Sequence, residues 1–138
     1  FTLGADGTAS HSDGNVASEY EEKDNSYTLT LASITNVFSG AIDAKGNGCL
    51  KLGTSKKAGS FSFTVADDVK EVRIYVAGYK AKSASITIND NTPATKLTKT
   101  SDNGEYDVIV IDTSVTKTVK FAVSSGYRCM VNTIEFYK

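Results

Sequence analysis

The stretch Ser60-Phe61-Ser62-Phe63-Thr64-Val65 and, six residues on, Val72-Arg73-Ile74-Tyr75-Val76-Ala77 decide the fold class. Phe61, Phe63 and Val65 alternate with Ser62 and Thr64; Val72, Ile74 and Val76 alternate with Arg73, Tyr75 and Ala77. In an extended chain successive side chains point to opposite faces, so a period of two gathers these apolar residues on one face. Aromatic and β-branched residues fit such a pleated, half-buried surface. Between the two stretches lies Asp67-Asp68, which is turn chemistry.

The pattern continues outward in both directions. Tyr27, Leu29 and Leu31 alternate with Thr28 and Thr30, Leu50 and Leu52 flank Lys51, and Ile86 and Ile88 flank Thr87. Val108 to Ile111 is a continuous apolar run, Val119, Phe121 and Val123 alternate with Lys120 and Ala122, and Met130, Ile134 and Phe136 close the chain. The separators are Lys45-Gly46-Asn47-Gly48, Ala58-Gly59, Asn89-Asp90-Asn91, Asp102-Asn103-Gly104 and Ser125-Gly126. No window has a helical period. About eight to ten antiparallel strands at this spacing predict an all-β sandwich or barrel. The expected core is Leu29, Leu31, Leu50, Leu52, Phe61, Phe63, Val72, Ile74, Val76, Ile86, Ile88, Val119, Phe121, Ile134 and Phe136.

A chain of 138 residues fits a single module spanning 1–138. Residues 1–26 are polar and read as one short strand at Phe1 to Leu3 followed by a mostly irregular segment. The chain begins with Phe1, which reads as a fragment or a processed mature chain. Lys plus Arg number 15 and Asp plus Glu 16, a net charge of −1. That balance excludes a strongly basic nucleic-acid binder and a polybasic membrane module. No apolar run approaches the roughly 20 residues of a membrane span, so no insertion is expected. The 16 Thr and 15 Ser suit the solvent faces of strands and the turns between them.

Catalytic and metal chemistry find little support. The one histidine, His11, lies in the polar N-terminal segment, and no GxSxG elbow accompanies it. Each Asp stands where a turn would want one, so an enzyme is not expected. Cys49 and Cys129 have no zinc-ligand spacing; a disulfide and two buried thiols are both open readings. Asp43 to Gly48 starts like an EF-hand loop but carries Lys45 at the third position and Thr54 at the twelfth. A turn is the better reading, with a structural calcium on Asp43, Asn47 and backbone carbonyls left open as the one cofactor.

If the strands are antiparallel, successive loops alternate between the two ends of the sandwich. One end then collects 54–58, 78–82, 100–104 and 124–128, where Lys56, Lys57, Lys80, Lys82 and Arg128 stand against Asp102, a net charge of +4. The other collects 43–47, 66–69, 90–93 and 112–116, where Asp43, Asp67, Asp68, Asp90 and Asp112 stand against Lys45, a net charge of −4. The basic end also carries Tyr79 and Tyr127. An aromatic face stacks on the C–H face of a sugar ring, while guanidinium and amide groups take its hydroxyls. Tyr79, Lys80, Asp102, Asn103, Tyr127 and Arg128 are therefore the candidate ligand-binding residues. A bidentate Arg there favours a glycan bearing carboxylate, sulfate or sialic acid. The alternative is that the tyrosines cap the core and the lysines are simply solvated.

Leu50-Lys51-Leu52-Gly53 through Gly59-Ser60-Phe61-Ser62-Phe63, then Val72-Arg73-Ile74-Tyr75-Val76, then Asn132-Thr133-Ile134-Glu135-Phe136, resemble galactose-binding-like jelly-roll modules of secreted and surface bacterial proteins. The resemblance covers about residues 27–138. It implies jelly-roll topology, an extracellular or cell-surface location and, as in many such modules, a structural calcium. It also implies a non-catalytic carbohydrate-binding role beside neighbouring domains of a larger protein. The chain departs from that pattern in having no Trp, so Tyr79 and Tyr127 would serve as the sugar platforms. Two other roles remain open: a structural or adhesion module that docks other domains, and a substrate-targeting accessory domain of a secreted enzyme such as a nuclease. The latter would use Lys56, Lys57, Lys80 and Lys82; nucleic acid is not the expected partner.

Overall fold

The alternating stretches form strands. In the computed structural model, which describes residues 1–3, 19–21 and 27–138, these are β1 (Glu19–Glu21), β2 (Thr28–Thr30), β3 (Ala32–Thr35), β4 (Val37–Ile42), β5 (Gly48–Leu52) and β6 (Ser60–Thr64). They continue with β7 (Glu71–Gly78), β8 (Ser85–Ile88), β9 (Thr95–Lys96), β10 (Asp107–Asp112), β11 (Thr118–Val123) and β12 (Cys129–Tyr137). One sheet has the order β10-β7-β12-β5-β4, a second has β3-β6-β11-β8-β9, and β1 and β2 form a small ribbon. Every strand pair is antiparallel. From β3 onward the chain passes repeatedly between the sheets, which is the jelly-roll winding expected.

Register places the apolar faces together. Phe121 pairs with Phe61 and Val119 with Phe63 across β11 and β6, while Ile134 pairs with Ile74 and Phe136 with Val72 across β12 and β7. Within the second sheet the rings of Phe61 and Phe121 stack at 5.5 Å, and between the sheets those of Phe63 and Phe136 stack at 5.9 Å. All the expected core residues join this cluster, with Ile88 and Phe136 partly buried at its margin.

Two features differ from the sequence reading, and one alternative that it left open is decided. There are twelve strands among the described residues, not eight to ten. The clearest addition is β4, Val-Phe-Ser-Gly-Ala-Ile, where a bulge between Phe38 and Ala41 breaks the alternation and Gly40 takes φ 83°. Ser39 is buried there, a polar residue at an inward position. Secondly, part of the N-terminal segment is ordered, since β1 pairs with β2. At Phe1 to Leu3 the contact is a single bridge, Thr2 to Thr133, reinforced by Leu3 N–H to the Asn132 carbonyl. His11 lies outside the described residues. Of the two open readings for the cysteines, the structure has the second: Cys49 and Cys129 are both buried free thiols. Cys129 faces the main core, whereas Cys49 sits with Ala41 and Met130 in a cluster on the opposite face of the first sheet.

Candidate functional site

The basic end is built where β5, β7 and β12 reach the same edge. Cys129 is paired with both Leu52 and Gly78, so the segments that follow Leu52 and Gly78 and precede Cys129 must meet. Each is a tight turn with its own lock. The Thr54 hydroxyl accepts from the N–H groups of Lys56 and Lys57 at 3.2 and 2.9 Å, closing the first. Tyr127 N–H donates to the Ser124 carbonyl at 3.0 Å, closing the last. Gly53, at φ 89°, lets the two approach: a Cβ there would lie 2.6 Å from the Tyr127 carbonyl oxygen. Tyr79 N–H donates to the Arg128 carbonyl at 3.1 Å and ties the 78–82 turn to the same group.

These turns enclose an open cleft of about 290 Å³, lined by Ser55, Tyr79, Lys82, Ser83, Gly126, Tyr127 and Arg128. Tyr127 is 44% exposed, the most accessible aromatic residue at this end. Tyr79 is half-buried and packs against the Cys49–Met130 cluster. Three cations surround its ring: Arg128 Cζ lies 4.8 Å from the centroid, Lys51 Nζ 5.2 Å and Lys80 Nζ 5.4 Å. Lys51 Nζ also lies 4.8 Å from the Phe38 centroid. Burial, then the charges of Arg128 and Lys80, pull the Lys51 ammonium below its ordinary pKa.

Lys80 itself is held in a left-handed backbone conformation, φ 59°. Its N–H donates to the buried Ser101 hydroxyl at 2.7 Å and its carbonyl accepts from Asp102 N–H at 3.1 Å. The 3-10 turn Ser101–Asn103 therefore braces the lysine from both sides. Of the six candidate binding residues, Tyr79, Lys80, Tyr127 and Arg128 are brought together. Asp102 and Asn103 sit on the bracing turn, exposed and outside the lining of the cleft. The sequence reading passed over Lys51, Ser55 and Ser83, and took Lys82 into account only as part of the basic end and as a nucleic-acid contact. Lys51 had a signal: it alternates with Leu50 and Leu52, so it had to face outward on β5.

The loop 43–47 does not stay with the acidic end. Ala44 N–H donates to the Ser101 carbonyl at 3.0 Å, and Tyr106 OH donates to Asp43 Oδ2 at 2.5 Å. β5 is too short to carry this loop to the far end, so it folds against the 100–106 segment instead. Asp43 is buried, and its carboxylate accepts from the N–H groups of Lys45 and Asn47, from the Asn47 amide and from Tyr106. Burial alone would raise its pKa, but these donors, led by Tyr106, hold it below the ordinary range. Burial and the Asp43 contact push the Tyr106 phenol well up. Asp43 and Asn47 are thus brought together as acceptor and donor of each other. Among the described residues no cluster of three His, Cys, Asp or Glu side chains is placed to hold a metal.

No family model and no curated protein sequence matches the chain. Among solved structures it is similar to CsCBM6-3, a carbohydrate-binding module from Clostridium stercorarium in complex with cellobiose, at 12% identity over 96% of this chain and 95% of that one, with a TM-score of 0.39. It is likewise similar to TmCBM61 in complex with beta-1,4-galactotriose, at 13% identity over 87% of this chain and 86% of that one, with a TM-score of 0.39. The sandwich assignment itself rests on the strand pairing described above.

Proposed function

We propose that the chain is a non-catalytic carbohydrate-binding module of an exported bacterial protein, acting outside the cell or at its surface, with the glycan bound at the basic loop end. The observation that carries this reading is the convergence of Tyr79, Tyr127 and Arg128, from two separate turns, on one open cleft with Ser55, Lys82 and Ser83. An exposed ring supplies the stacking face and the surrounding hydroxyl, ammonium and guanidinium groups supply directional bonds, which is the pairing a sugar needs. A glycan array followed by calorimetry on the best ligand tests it. Tyr127→Ala and Arg128→Ala are each expected to weaken binding about tenfold or more. Unchanged affinity in both variants rules out this site.

One observation favours a second reading, a structural or adhesion module docked on neighbouring domains. On β10, an edge strand of its sheet, Val108 and Val110 are 44% and 58% exposed on the outer face. That reading predicts an array without hits and an interface that forms only with the parent protein.

A further inference from the structure

We propose that the glycan taken at this end carries an anionic oxygen group, a sulfate ester or a carboxylate, and that Lys51, Lys80 and Arg128 around Tyr79 form the subsite that holds it. The inference rests on the glycan-binding reading and adds the chemical class of the sugar. Its basis is an imbalance of charge. All three cations lie within 5.4 Å of one ring centroid, and none forms an ion pair among the described residues. Three cations elsewhere have a carboxylate partner, Arg73 with Glu71, Lys99 with Glu105 and Lys120 with Asp90; what sets Lys51, Lys80 and Arg128 apart is that three unpaired cations share one half-buried ring.

Like charges brought together on a half-buried surface repel and lose hydration. The negative faces of Tyr79 and Phe38 offset part of this. A bound anion offsets the remainder, and does so with a planar fork from Arg128 and point charges from the two lysines. A neutral hydroxyl would gain little from three such cations. Two of the three are also fixed in place, which favours selective binding. Lys51 stands on β5, paired on both sides, not on a loop, and the Lys80 backbone is held by Ser101. The patch is a single spot on a chain of net charge −1, not a stripe that could follow a nucleic-acid backbone.

Calorimetry at two salt concentrations would compare a neutral galactan oligosaccharide, its sulfated counterpart, an oligogalacturonate of equal length and a DNA oligonucleotide. The wild-type chain is expected to prefer one of the anionic sugars about tenfold or more over the neutral one. Which of them binds tighter separates sulfate from carboxylate. Lys51→Met removes the charge over Phe38 and is expected to lower the ratio of anionic-sugar to neutral-sugar affinity about tenfold or more. Lys80→Gln, at an exposed residue, is expected to lower the same ratio. Equal affinity for charged and neutral sugars, variants that weaken all sugars alike, or tightest binding to DNA would each overturn the inference. Neutral-sugar binding lost in Tyr127→Ala but indifferent to charge overturns only the anionic subsite; failure to bind any sugar overturns the glycan reading as well.

Discussion

At the end of the sandwich where β7 begins and β10 and β12 stop, charged and polar groups are tied into the chain. Lys117 donates to the carbonyls of Asp67 and Val69, Tyr27 donates to Asp68, Ser114 to Asp112, and Lys120 to Asp90. The buried Thr113 hydroxyl donates to the Val69 carbonyl at 3.1 Å. At the opposite end Lys51, Lys80 and Arg128 have the Tyr79 ring between them and no carboxylate partner among the described residues. The contrast teaches that the two ends use charge differently. One end uses it to close loops, while at the other three cations share one ring without a carboxylate partner among the described residues.

Three measurements can break or sharpen that contrast. Both ends hang on the same core, so Phe121→Ala, which empties a position stacked on Phe61, should cost about 3–5 kcal/mol and melt both ends in one transition. Separate transitions, seen by probes placed at the two ends, would show that the ends are independent units. Next, Thr113→Val should cost about 1 kcal/mol, because it removes a buried bond of the acidic end. Lys82→Gln at the basic end should stay within about 0.5 kcal/mol of wild type in denaturant melts. A loss at Lys82 equal to that at Thr113 would mean that the basic end is also built for stability.

The smallest effect is in pH. Hydrogen bonds, first from Tyr27 to Asp68 and from Ser114 to Asp112, lower both carboxyl pKa values in the folded chain. Their contribution is therefore fully present above the unfolded value of about 3.9 and is lost as pH falls through the lower folded values. The double variant Asp68→Asn, Asp112→Asn should flatten the acid limb of a plot of Tm against pH. An unchanged limb would assign acid sensitivity to other groups.

The sandwich was legible because each alternating stretch reports its own face, and nothing in Phe61 to Val65 or Val72 to Val76 depends on distant residues. β4 was not legible because a bulge at Gly40 destroys the period that identifies a strand. Loop ends could be sorted from strand parity alone, which found the meeting of Tyr79, Tyr127 and Arg128. Parity fails where a strand is short, and so 43–47 was placed with the acidic end although it packs on Ser101. Lys51 was missed for a related reason. Loop parity says nothing of a residue on a strand, and the outward face of β5 becomes part of the site only once Tyr79 folds over it.

The placement of β12 has a consequence for how the molecule is made. The strand lies between β7 and β5, and it is the last of the twelve described strands in chain order. Until Cys129 to Tyr137 leaves the ribosome, β10-β7 and β5-β4 are separate pairs with two open edges and an unfilled apolar layer. Folding must therefore wait for contacts far apart in sequence, which makes the sandwich a slow, late-closing topology. Nascent chains stopped before Cys129 present unpaired strand edges, the kind of surface that chaperones protect and that aggregation exploits.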